Sequence, residues 1–210
     1  MNRTAKISLA GVSALILIGG VLTAVLIPTR QRNQELARRA ACKGDLRCLG
    51  IAMHLYADEY GNAFPTVDPV SPAFDADPAH TVQAFALLYP NYTENPHIFG
   101  CPSAHSSHND FLPGGTLSTK STGYAYDSRH SSTHAGPVII AGDCRDGLKQ
   151  VSANHGGAGG NYLAIDSSVM WVRAVPGQTS LVVDATVDPN GIWTRTDGYV
   201  HDSCLRRTDK

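Results

Sequence analysis

The sequence predicts an α+β fold, a long N-terminal helix packed on a small antiparallel β-sheet with long loops. Three observations predict it. From Ile7 to Ile27 no side chain is charged. After that run, Cys42, Leu46, Leu49, Met53, Tyr56 and Tyr60 recur at alternating spacings of four and three, one apolar stripe on a helix. Beyond residue 120 the texture changes to short runs rich in Val, Ile and Tyr, separated by Gly, Pro, Asp and Ser.

The apolar run comes first in the chain. At about 1.5 Å per helical residue it is about 31 Å long, against a hydrocarbon core of about 30 Å. Residues 7–27 are therefore expected to cross a bilayer once, anchored by Ile7, Leu15, Ile16, Leu22 and Leu26, with Pro28 at the end of the apolar run and residues 1–6 cytoplasmic. Backbone amides in lipid must be satisfied within the segment, so the run is a helix, and Gly11, Gly19 and Gly20 allow a partner helix to approach. A cleaved secretory signal starting at Arg3 and Lys6 is the alternative, but the run exceeds a signal's apolar core and no small-x-small site follows.

Residues 28–60 read as an amphipathic continuation of the helix, whose stripe must be covered because packing stabilises such a helix more than propensity does. Gly61-Asn62 ends it, with Phe64-Pro65 beyond. Residues 61–210 form the globular head. There Asp77-Pro78 is a helix start and Thr81–Leu88 a short helix stopped by Pro90. Strands are expected at Gly123–Tyr126, Val138–Ala141, Asn161–Ile165, Val169–Val172 and Leu181–Val183. Asp166-Ser167-Ser168 separates two of them at hairpin distance, and Asn190-Gly191 and Asp197-Gly198 mark turns.

The net charge of −1 conceals an asymmetry. Residues 1–49 carry Arg3, Lys6, Arg30, Arg32, Arg38, Arg39, Lys43 and Arg47 against Glu35 and Asp45, whereas residues 50–205 carry six basic residues against fifteen acidic ones. An acidic head repels phosphate backbones, which argues against nucleic-acid binding and favours cations over anions. Of the five cysteines, Cys42 and Cys48 lie about 240° apart around a helix and do not pair readily. Cys42 falls on the apolar stripe and reads as a small buried hydrophobe. Cys144 and Cys204 can pair in an oxidising compartment, but the connectivity is left open.

The segment CKGDLRCLGIAMHLYADEYGNAFP, from Cys42 to Pro65, resembles the one that follows the N-terminal helix in pilin-like, type II secretion pseudopilin-type proteins of the planctomycete kind. LLYPNYTENPHIFGCPSA resembles that family's Leu-Tyr-Pro segment ending in Phe-x-Cys-Pro-Ser, placing Cys101 and Pro102 on the motif. TGYAYD and NHGGAGGNYLAIDSSVMWV follow in the family's order, the latter like its His, Gly-rich turn, strand, Asp-Gly turn, strand element. The resemblance runs collinearly to about Val172. It implies a pilin-like fold, a head outside the cytoplasmic membrane, and pilin-like subunits or secretion-system components as partners in a protein–protein assembly.

Three family positions differ. With Pro28 on the family's proline, Lys6 falls on the Gly after which prepilin peptidase cuts, and Gly11 on the Glu that meets a neighbouring subunit's new N-terminus. The His, nine residues, Asp-Gly element has become His155, ten residues, Asp166-Ser167, while Cys42 and Leu46 keep the family's Cys and Leu. The expectation is an uncleaved helix used as a fixed anchor. Two Lys or Arg before the span and six after it would alone put the head in the cytoplasm. The resemblance puts it outside, and that side is taken here.

An enzyme is not expected. His105-Ser-Ser-His108 and His130-Ser-Ser-Thr-His134 have spacings suited to Zn²⁺, with Asp110, Asp127 and Asp143 nearby, yet they fall in polar loop sequence and read as solvated. Gly156–Gly160 lacks the Lys-Ser/Thr of a phosphate loop and reads as a flexible turn between strands. Asp166 is placed to lend a carboxylate to Ca²⁺, although a plain hairpin turn accounts for it. No catalytic or cofactor residue is assigned, and His105, His108 and Asp166 are the metal candidates. The function expected is that of a single-pass membrane-anchored, pilin-like structural or assembly protein of a type II secretion or type IV pilus-like system. The alternative is a membrane-anchored metal-binding or hydrolytic ectodomain using the loop histidines.

Overall fold

The computed structural model describes residues 9–67, 78–104, 117, 123–128, 130–133, 138–143 and 154–174. The chain divides into two units, residues 1–37 and residues 38–210. Helix α1 runs from Leu9 to Glu59 and includes Pro28 within its length.

In the first unit α1 is apolar on every side as far as Ile27. The consecutive residues Leu15, Ile16, Leu17 and Ile18 are all exposed, and steps of about 100° carry four such residues around the whole circumference. Two hydroxyls are satisfied within the helix: Thr23 Oγ1 donates to the Gly19 carbonyl and Thr29 Oγ1 to that of Val25, each at 2.7 Å. This helix is long and apolar enough to span a membrane.

In the second unit the stripe is one-sided. Cys42, Leu46, Leu49 and Met53 are fully buried, together with Ala52 and Ala57, while Arg47, Ile51 and Leu55 face outward. The stripe fades at its end, because the helix stops at Glu59 and Tyr60 lies exposed beyond it, stacked on half-buried Tyr56 at 4.2 Å between ring centroids. Gly61 and Asn62, with φ of 64° and 70°, turn the chain as the sequence predicts.

The sheet is a four-stranded antiparallel meander in the order β1 (Tyr124–Tyr126), β2 (Ile139–Asp143), β3 (Gly159–Ala164) and β4 (Val169–Arg173). Tyr124 pairs with Asp143, Gly142 with Tyr162, and Leu163 with Val169. The expected strand at Leu181–Val183 and the later turns lie outside the described residues. Helix α2 spans Pro78–Ala86: it starts at Pro78, where the sequence places the helix start with proline at the first helical position, and ends two residues before Leu88.

Residues 38–59 of α1 lie along β3. Asn161 Nδ2 donates to the Arg39 carbonyl at 3.3 Å, and His54 Nε2 lies 2.6 Å from the Ile165 carbonyl. Between them Gly50 permits contact, since a Cβ there would sit 3.0 Å from Leu163 Cδ1 and 3.1 Å from Ser167 Oγ. Leu46, Leu49 and Met53 thus join Phe85, Phe99, Tyr126, Ile140 and Leu163 in one core.

Gly156–Gly160 is not a uniform flexible turn. Gly156 and Gly157 belong to a short 3₁₀ turn, Asn154–Gly157, but Gly159 and Gly160 are buried residues of β3. Gly159 has φ of 152°, and a Cβ there would lie 2.2 Å from the Val172 carbonyl, so close strand pairing rather than looseness explains it.

Candidate functional site

Four buried side chains from four segments converge beside this sheet: Cys42 of α1, Cys101 after the 3₁₀ turn Pro96–Phe99, Asp143 at the end of β2, and His155 of the 3₁₀ turn before β3. One ligand atom from each lies within 4.8 Å of all the others. Cys42 Sγ is 3.8 Å from both Asp143 carboxylate oxygens. Cys101 Sγ is 3.4 Å from His155 Nε2, which is 3.3 Å from Asp143 Oδ2.

Each group is placed by local structure. Cys42 opens the buried stripe. Asp143 ends β2 opposite Tyr124, and its carboxylate is fixed from the other side: Asn154 Nδ2 donates to Oδ1 and the Asn161 amide to Oδ2, both at 2.7 Å. Asn154 Nδ2 also lies 3.2 Å from the Gly123 carbonyl, tying this turn to β1. His155 takes the left-handed region, φ 58° and ψ 26°, an arrangement costing about 1–3 kcal/mol in a residue with a Cβ. Its ring meets Trp171 edge-on at 5.3 Å, and the Arg39 guanidinium lies 4.3 Å over the same Trp171 ring.

The electrostatics are those of a coupled set. A hydrogen bond from Cys101, followed by one involving His155, holds the Cys42 thiol below its ordinary range against the opposing effect of burial. The same hydrogen bond to Cys42, reinforced by burial and the Asp143 charge, pushes Cys101 up. Burial pulls His155 down, but hydrogen bonds to Asp143 and Cys42 outweigh it and raise the ring to about 10. Burial, with the charges around it, also raises Tyr124, whose hydroxyl is 3.3 Å from Cys42 Sγ.

The sequence singles out three of these four residues, Cys42, Cys101 and His155, on the segments that carry the resemblance, and names Asp143 as an acidic neighbour, but does not bring them together. Cys42 is buried as expected, yet its sulfur faces polar partners instead of filling an apolar gap. Asp143 is the buried last residue of β2. The signal available was two cysteines and a histidine recurring on separate motifs of one domain.

The other candidates fall elsewhere. Asp166 is exposed in the β3–β4 turn, where its Oδ1 accepts the Ser168 amide at 2.9 Å and these hydrogen bonds lower its pKa, the arrangement of a hairpin turn. His130 is not solvated: it is buried, with Nε2 3.4 Å from Asp127 Oδ2. His105, His108, Asp110, His134, Cys144 and Cys204 lie outside the described residues, as does Lys6, while Gly11 lies in α1. Pro102 follows the clustered Cys101. Among the described residues Cys42, Cys48 and Cys101 are free thiols.

Compared with protein-family models, curated proteins and solved structures, the chain matches none.

Proposed function

We propose that the protein is a single-pass, membrane-anchored, pilin-like structural or assembly protein whose folded unit lies outside the cytoplasmic membrane, where it joins pilin-like subunits or components of a type II secretion or type IV pilus-like system. One observation carries this reading: a single helix, α1, is apolar all round in its first part and sealed by one face into a four-stranded antiparallel sheet in its last part. A helix that both anchors and forms a wall of the core suits a protein whose task is to hold a surface at a membrane. The acidic head disfavours nucleic acid as a partner. Burial of the Cys, Asp and His side chains away from solvent favours a structural over a catalytic part for them.

Processing is read as absent, because Lys6 and Gly11 occupy the positions at which a prepilin-type protein needs glycine and glutamate. An unpaired terminal amine in lipid would be expensive. Two measurements test the proposal. An impermeant maleimide applied to cells with a permeabilised outer layer is expected to label exposed Cys48. Protection of Cys48 until the inner membrane is lysed would place the folded unit in the cytoplasm and overturn the proposal. The intact mass of membrane-extracted protein is expected to retain residues 1–6, and a mass lacking them would return the chain to the processed, filament-forming pseudopilins.

A further inference from the structure

We propose that Cys42, Cys101, Asp143 and His155 together bind one divalent transition-metal ion, zinc by the chemistry of the donors, in a closed tetrahedral site that fastens α1 to the sheet. This goes beyond the membrane and pilin-like reading and does not depend on it.

The spacing of the donors carries the inference furthest. Zinc bonds of about 2.3 Å to sulfur and about 2.0–2.2 Å to nitrogen and oxygen, at tetrahedral angles, set neighbouring donors about 3.3–3.8 Å apart. The separations here are 3.8 Å from Cys42 Sγ to the Asp143 carboxylate, 3.4 Å from Cys101 Sγ to His155 Nε2, and 3.3 Å from that nitrogen to Asp143 Oδ2. The remaining separations among the four donor atoms lie within 4.8 Å, so small side-chain movements would close all four around one ion.

The donor types narrow the choice. Two thiols, an imidazole and one carboxylate form a soft set that suits zinc, whereas calcium takes six to eight oxygens and magnesium an octahedron of them. The four clustered residues offer Ca²⁺ no such oxygen cage. All four donors come from the protein and all are buried, so no position is left open for a water or substrate. Such a site is structural.

The surroundings fit a ligand shell that is held in place. Asn154 and the Asn161 amide fix both oxygens of Asp143, Tyr124 reaches Cys42 Sγ, and Trp171 lies against the His155 ring. His155 adopts a left-handed backbone that aims its Nε2 into the cluster, a cost that metal coordination would offset. Burying two thiols, a carboxylate and an imidazole together is otherwise unfavourable unless each charge is paired.

The test uses the full chain in detergent, purified under reducing conditions without chelator through a tag free of His and Cys. Elemental analysis is expected to find about one zinc ion per chain, retained in Cys48→Ser and reduced at least tenfold in Cys101→Ser and His155→Ala. Because those variants can fail to fold, the wild-type protein supplies a second reading. After removal of metal, added Co²⁺ is expected to give a thiolate-to-cobalt charge-transfer band, and zinc at about a thousandfold excess over its dissociation constant to raise Tm by about 8–16 °C. Folded wild-type protein that takes up neither ion overturns the proposal. So does stoichiometric zinc persisting in both variants, which would place the ion in another histidine-bearing segment. A Cys42–Cys101 disulfide in protein isolated from cells with its thiols blocked would equally overturn it, since those sulfurs would no longer be ligands.

Discussion

Along one helix the same residue type meets two environments. Leu15, Leu22 and Leu26 are 69%, 55% and 61% exposed, whereas Leu46 and Leu49 are fully buried. Charge and periodicity both separate these stretches. The first stretch is apolar at consecutive positions, so no single partner face satisfies it and an apolar surrounding is required. The second is apolar only every third or fourth residue and needs one wall, which β3 and its neighbours supply. The first stretch is long and apolar enough to span a membrane, and the second forms part of the core.

That difference is sharpest under truncation. Leu49→Ala or Met53→Ala is expected to cost the folded unit about 2–5 kcal/mol in chemical denaturation, since each leaves a cavity in a packed core. Leu17→Ala should change that stability by less than about 0.5 kcal/mol. Comparable losses from both would mean that the apolar half contributes to the same core.

A charge reverses the ranking. Leu17→Arg places a guanidinium within the proposed span at a cost of about 2.5–3.5 kcal/mol of insertion, read as protein moving from the membrane to the soluble or degraded fraction. Arg47→Ala, on the exposed side of the second stretch, is expected to shift stability by no more than about 0.5 kcal/mol. Unchanged membrane partitioning of the Leu17 variant would weaken the anchoring role.

A modest pH effect is expected on the same helix. Burial raises Asp45 to about 6, opposed only in part by the His97 charge. The folded chain therefore keeps this proton to higher pH than the unfolded one. Its contribution is greatest below about pH 4 and is lost as pH rises through about 6. Because Asp45 is half-exposed, solvent screening leaves a change of about 1 kcal/mol. Asp45→Asn is expected to flatten the stability profile between pH 4 and 6, and a profile identical to wild type would remove Asp45 as its source.

The sequence displays what is periodic or local. The stripe from Cys42 to Met53, the Gly61-Asn62 stop and the Asp166–Ser168 turn follow from spacing and turn chemistry, and four of the expected strands form within a residue or two of their places. What it conceals is convergence. Cys42 and Asp143 are separated by 101 positions and Cys101 and His155 by 54, so no local pattern unites them. The histidine pairs at 105/108 and 130/134 drew attention because they are close in sequence. His155 stands alone in sequence and reaches the cluster only through a left-handed turn that precedes β3.

The proposed division of α1 into a lipid-facing and a core-facing part is tested most directly by scanning nitroxide labels along it in protein reconstituted into vesicles, measuring collisions with oxygen and with a water-soluble nickel chelate. At positions 15, 18, 22 and 26 the account predicts high oxygen and low nickel access on every face; at 47, 51 and 55 it predicts nickel access, and at 46, 49 and 53 access to neither. Nickel access at 15, 18, 22 and 26 equal to that at 47, 51 and 55 would contradict it.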